Sequence, residues 1–115
     1  MNESGDVIER TETLDDGVCL VLNGEIDLSS SSVLREHLLA HVQKNPGRLL
    51  IDLSGVPYMD SSGVATLVEA LQHQRRNNAR MILAGLQEKV RSIFEIARLD
   101  SVFTIVDDLE TAKTA

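Results

Sequence analysis

The chain has 115 residues, 43% of them apolar, and a formal net charge of -7. That length supports one domain with one hydrophobic core, and that apolar content excludes a disordered chain. The acidic balance excludes a direct nucleic-acid partner, since nothing in it would neutralise phosphates, and favours a partner with a basic patch.

There is no Trp, one Tyr and two Phe, so the core is expected to be Leu, Val, Ile and Ala. Residues 1–6 are polar and acidic, with no apolar stretch behind them. No run approaches a membrane span. The expectation is no signal peptide, no membrane insertion and a cytoplasmic location.

Residues 7–13 are polar-rich and read as an edge strand, followed by the turn signal Asp15-Asp16-Gly17. Residues 18–22 form a continuous apolar run, stopped at Asn23-Gly24. Its Cys19 is the one cysteine and cannot form an internal disulfide; a buried, inert thiol is expected. Then come Asp27 and four consecutive serines, Ser29 to Ser32. A flexible linker is one reading. A helix start is preferred, because Leu34, Leu38 and Val42 follow at four-residue spacing, with Asp27 or Ser29 placed to cap it.

Asn45-Pro46-Gly47 ends that helix. Residues 49–53 are another short apolar run, and residues 64–74 are helical by pattern until Asn77-Asn78. Residues 81–84 are a further apolar run, closed by Gly85. Val90, Ile93, Phe94 and Ala97 stand at the spacing of an amphipathic helix. Residues 103–106 make a last strand, and a short helical tail follows from Asp107. The expected fold class is α/β: one domain over residues 1–115, in the order β-β-α-β-α-β-α-β(-α). Strands apolar on both faces imply a mostly parallel sheet flanked by helices. The first two strands form a hairpin, which makes the sheet mixed.

The segment Tyr58-Met59-Asp60-Ser61-Ser62-Gly63 lies between an apolar strand and an amphipathic helix. At about 100° per residue, Val64, Leu67, Val68 and Leu71 cluster on one side of that helix. Ser62 projects opposite them, with Thr66, Glu69 and His73 on its side. Ser61 falls at the boundary between the faces. Its expected task, like that of Asp60, is to bond a free backbone N–H of the first turn. Gly63 removes a side chain beside Ser62 and lets another backbone approach closely. Polar residues at a helix start are ordinary, and capping alone is the plain reading that a functional role must beat.

Two segments together lift the functional reading. Asp52-Leu53-Ser54-Gly55 followed by Met59-Asp60-Ser61-Ser62-Gly63-Val64 resembles the signature of the STAS domain family, and more narrowly of bacterial anti-sigma factor antagonists. Gly24-Glu25-Ile26-Asp27 is similar to that family's other characteristic segment. The resemblance covers nearly the whole chain. It implies a binding protein that is not an enzyme, with Ser62 phosphorylated by the anti-sigma factor, itself a serine kinase using ATP. Unphosphorylated, such an antagonist binds the anti-sigma factor and frees the sigma factor; phosphorylated, it lets go. A metal-dependent serine phosphatase resets it. The expected partner surface comprises Asp27, Asp60, Ser61, Ser62, Gly63, Thr66 and Glu69. The alternative is a non-switching STAS scaffold, such as a subunit of a lipid-transport or signalling assembly.

Other chemistry is weaker. The nucleophile-elbow pattern Gly-x-Ser-x-Gly is absent. His73 lies eleven residues along the helix from Ser62, about 16 Å by the helical rise, too far to be its base. His37 and His41 have a metal-compatible spacing but no evident third ligand. His41 is expected to border the core and His37 to face solvent. Arg75, Arg76 and Arg80 read as a solvated helix end bonded to last-turn carbonyls. Met59 is expected to be buried; Tyr58 reads either as a support or as a partner contact. No phosphate-binding glycine loop is present, so no cofactor is expected.

Overall fold

In the computed structural model, which describes residues 7–115, the apolar runs become strands and the periodic segments helices. Residues 1–6, on which the expectation of no signal peptide rests, lie outside the described residues. The elements are β1 (Ile8–Leu14), β2 (Gly17–Asn23), α1 (Ser31–Val42), β3 (Arg48–Gly55), α2 (Ser61–Arg76), β4 (Arg80–Ala84), α3 (Glu88–Ile96), β5 (Thr104–Val106) and α4 (Leu109–Thr114). Their order is the expected one. The sheet runs β1-β2-β3-β4-β5. β1 and β2 form the antiparallel hairpin, and every other neighbouring pair is parallel. No helix among the described residues is long and apolar enough to cross a membrane.

Alternation along the strands divides the interior in two. Leu20, Leu22, Leu49, Ile51, Leu53 and Leu83 join one buried cluster with Leu34, Leu38 and Val42 of α1, Leu67 and Leu71 of α2, and Val90 and Phe94 of α3. Cys19, Val21, Leu50, Ile82 and Ala84 join another with Ala112 and Leu109 of α4. Three helices therefore cover one face and a single short helix the other. This explains why β2 and β3 are apolar on both sides. Cys19 is fully buried in the second cluster, and its burial raises the thiol pKa, in keeping with an inert residue.

Several details refine the expected boundaries. α1 begins at Ser31, and Ser30 at its cap position makes no side-chain capping bond. Neither Asp27 nor Ser29 caps it, because the Asp27 carboxylate is held by Ser29 instead. Asn45 and Asn78 leave α1 and α2 with positive φ, 56° and 55°, a conformation asparagine tolerates better than most residues. Gln74 is fully buried on α2. Its Nε2 donates to the carbonyls of Pro46 and Arg80, at 3.1 and 2.8 Å, and so ties the end of α2 to the approaches of β3 and β4. The arginines do not bond the last-turn carbonyls of α2. Arg75 donates to the carbonyl of Val102 and Arg80 to that of Ala115, while Asn77 reaches back to His73.

His41 borders the core and His37 is exposed. Burial, then the nearby positive charge of Lys44, then His37 hold the His41 pKa below its ordinary 6.5. Near pH 6 the folded chain thus binds fewer protons here than the unfolded chain. The stability from neutral His41 is complete above pH 6.5 and is lost as pH falls through 6.5 towards the lower folded value. Denaturant titrations from pH 7.5 down to about 5.5 should show a modest fall in stability. His41→Gln should flatten it; an unchanged slope would contradict the assignment.

Candidate functional site

The site forms where β2 and β3 deliver two loops at one end of the sheet. Gly24, with φ at 84°, turns the chain out of β2 in a conformation that strains other residues. Its N–H donates to the Gly55 carbonyl at 2.9 Å. Two residues later Ile26 pairs with Met59 as a parallel bridge. The Ile26 N–H donates to the Tyr58 carbonyl and the Asp60 N–H to the Ile26 carbonyl, both at 3.0 Å. Ile26 and Met59 are fully buried. A Cβ on Gly63 would stand 2.7 Å from each of their side chains. Gly63 thus gives the expected clearance, but to two side chains rather than to a backbone.

This strap brings Asp27 beside Asp60. Repulsion from Asp60 is one of the influences on the Asp27 carboxyl. Both nevertheless titrate below the usual carboxylate range. For Asp60 the largest cause is the hydrogen bond from the Ser62 hydroxyl; for Asp27 it is that from Ser29. Asp60 is the N-cap of α2. Its Oδ1 accepts from the Ser62 N–H at 2.9 Å, the Gly63 N–H at 3.4 Å and the Ser62 hydroxyl at 2.6 Å. The last length is that of a strong, charge-assisted bond.

The structure rearranges the expected surface of α2. Ser61 does not cap: it is exposed and makes no side-chain hydrogen bond among the described residues. Ser62 is half-buried rather than fully outward. Thr66 is a clear correction. Its side chain is buried, and its hydroxyl donates to the Ser62 carbonyl at 2.9 Å. The buried arc is Gly63, Val64, Thr66, Leu67, Ala70, Leu71 and Gln74, turned from the one that apolar spacing alone selects. α1 packs along one flank of α2. Small residues admit it, and small or polar residues carry little weight in an apolar pattern. Glu69 stays accessible on that flank. It forms a bidentate pair with Arg35 of α1 at 2.7 and 2.8 Å, which lowers its pKa.

Two surface residues complete the site. Leu28, 79% exposed, follows Asp27, and Tyr58, 42% exposed, precedes Met59. The sequence left Tyr58 open between support and contact, and the structure shows it half in solvent. Leu28 was missed. Its signal was an apolar residue in a polar loop, out of phase with Leu34, Leu38 and Val42. Among the described residues no three His, Cys, Asp or Glu side chains gather into a metal-binding group.

The sequence model of the STAS domain matches residues 8–112. The chain belongs to the STAS domain family. It is 32% identical to the anti-sigma-B factor antagonist of Listeria monocytogenes over 105 residues, covering 91% of this chain and 90% of that one. Its fold is similar to the crystal structure of an anti-sigma factor antagonist from Mycobacterium paratuberculosis. That likeness has a TM-score of 0.84 and 25% identity, over 91% of this chain and 89% of the other. It is also similar to the Bacillus cell fate determinant SpoIIAA solved in its phosphorylated form, with a TM-score of 0.71 at 20% identity, over 90% and 94%. Anti-sigma factor antagonists of the STAS family are regulatory binding proteins, not enzymes.

The close packing under Gly63 makes it a sensitive position of this STAS domain. Gly63→Ala should lower unfolding stability by about 1–3 kcal/mol, the usual range for overpacking. Chemical denaturation measures it. A loss under about 0.5 kcal/mol, typical of an unconstrained surface substitution, would contradict the packing.

Proposed function

We propose that this protein is an anti-sigma factor antagonist that binds its anti-sigma factor when Ser62 is free and releases it when Ser62 is phosphorylated. The anti-sigma factor is the serine kinase, using ATP, and a metal-dependent serine phosphatase restores the binding form. The observation that carries this is the Ser62 hydroxyl, fixed at 2.6 Å by the capping carboxylate of Asp60, on loops that also carry exposed Leu28 and Tyr58. Relatives named as antagonists and a similarly folded protein known in a phosphorylated form support the same reading.

The switch follows from charge. A serine phosphate adds about -1.5 to -2 charges. Phosphorylating Ser62 removes the proton that Asp60 accepts and sets a dianion beside that carboxylate, with Asp27 adjacent. Serine hydroxyls and backbone N–H groups hold down the pKa of both acids, and a phosphate beside them makes this face strongly negative. The N-terminal end of α2 tolerates negative charge, so the helix persists. The cost falls on the partner, whose surface is fitted to a hydroxyl flanked by Leu28 and Tyr58. Asp27, Asp60, Ser61 and Gly63 shape that surface; Glu69 lies further along α2, held by Arg35.

The test is a binding assay with the cognate kinase. Ser62→Ala should bind as the unmodified chain does, and Ser62→Asp should bind at least tenfold more weakly, a loss of about 1.4 kcal/mol or more. Equal retention of the two would point instead to a non-switching scaffold. Leu28→Ala should weaken binding by about 1–2 kcal/mol, as for an interface anchor, with unchanged thermal stability. Unchanged affinity would remove Leu28 from the contact.

A further inference from the structure

The two edges of the sheet are guarded differently. β1 carries Glu9, Arg10 and Glu12 and a register irregularity between Ile8 and Arg10, devices that discourage a further strand from pairing. β5 is the other edge, and its residues Thr104, Ile105 and Val106 carry no charge. It is also shorter than its neighbour. Pairing begins between Ile82 and Thr104, so β4 runs on past it through Met81 and Arg80. The chain leaves the sheet there. Val102 and Phe103 both donate their N–H to the Leu99 carbonyl, and Phe103 turns into the core.

A groove of about 200 Å³ lies in that gap. Arg80 and Ile82 border it from β4, Thr104 from β5, Val102 from the preceding loop, and Leu71 and Arg75 from α2. Its lining holds two arginines and no acid. The arginines stand on opposite faces of the sheet. Arg75 belongs to α2, which covers the face of Met81 and Leu83. Arg80 falls by alternation on the side of Ile82 and Ala84, and its guanidinium reaches the Ala115 carbonyl beyond α4. Both side chains are exposed. Arg75 donates to the Val102 carbonyl at 3.0 Å and Arg80 to that of Ala115 at 3.1 Å, which leaves each guanidinium further N–H donors. Neither forms an ion pair among the described residues, in a chain with 18 acids against 11 Lys and Arg.

We infer that this gap is a docking site for an extended acidic segment of a partner protein, added beside β4 with two adjacent carboxylates set against Arg75 and Arg80. The pleat supplies the reason. Successive side chains on a strand point to opposite faces, so neighbouring acids reach one arginine each. Backbone pairing at an open edge gives affinity, and the alternating side chains give specificity. Val102, 38% exposed, offers the segment an apolar contact. The site is remote from Ser62. Asp60 and Arg75 stand at opposite ends of α2, about 22 Å apart by the helical rise. A segment in the gap therefore leaves the Ser62 face open to its own partner.

The experiment measures fluorescence anisotropy of a short labelled peptide, two adjacent glutamates among β-branched residues, as the full chain is added. This peptide should bind, and the same peptide with lysines for glutamates should not. The double variant Arg75→Glu, Arg80→Glu should bind it about tenfold or more weakly, beyond the loss of one exposed ion pair, and should hold the cognate kinase as the unmodified chain does. Amide NMR of the wild-type chain should place the peptide-induced shifts at residues 80–82 and 102–104. Equal binding of the two peptides, or shifts only at other residues, would overturn the inference and leave the Ser62 reading intact. Displacement of the peptide by inorganic phosphate, but not by chloride at equal ionic strength, would assign the arginines to a free anion and overturn it. Self-association abolished by the double variant would give the gap to a second copy, and shifts of the same amides by anionic lipid vesicles would give it to a membrane surface; either result overturns the assignment to a protein segment.

Discussion

Ile26 and Met59 form a single parallel bridge between two loops, and their buried side chains close over the bare backbone of Gly63. The rest of the functional end follows from that contact. It fixes the entry to α2, so that Asp60 meets the first free N–H groups of the helix. It also fixes the exit from β2, so that Asp27 lies alongside. Two carboxylates set side by side repel, and the chain meets that cost with local donors. Ser29, Ser62 and several backbone N–H groups point at them. The acids are therefore ionised at neutral pH, with pKa values depressed rather than raised.

That arrangement separates fold from signal. The core lies beneath, in the two clusters on either side of the sheet. Neither cluster includes Ser62. The acids contribute stability that is present above the unfolded carboxylate range and is lost as pH falls through their lowered folded values. Near neutrality this contribution is constant. A phosphate here thus changes what a partner meets more than what the chain folds into. In the proposed switch this face becomes more negative and less fitted to a hydroxyl-sized contact.

Much of this was legible in the sequence because each element has one dominant local signal. Continuous apolar runs marked β2, β3 and β4 as strands buried on both faces, and Asp15-Asp16-Gly17 marked the hairpin. The phase of α2 was less legible. Val64, Leu67 and Leu71 gave the arc that packs on the sheet, but Gly63, Thr66 and Gln74 are buried as well and gave no apolar signal. Thr66 therefore looked outward, although it is buried and bonded to the Ser62 carbonyl. The division of labour between Ser61 and Ser62 was misjudged for a related reason. A single carboxylate oxygen satisfies two N–H groups and a hydroxyl, which leaves Ser61 with no capping task. Leu28 and Ser29 were obscured by the serine run, whose members differ only once the fold buries two of them.

The central claim is that phosphate rewrites a surface on an unchanged scaffold. The most direct test is to compare backbone amide NMR spectra of the chain before and after stoichiometric phosphorylation by its kinase. Shifts should be confined to residues 24–32 and 56–66, with the amides of β2, β3 and β4 at their original positions. Shifts spread through those strands, or loss of the α2 amide pattern, would contradict it.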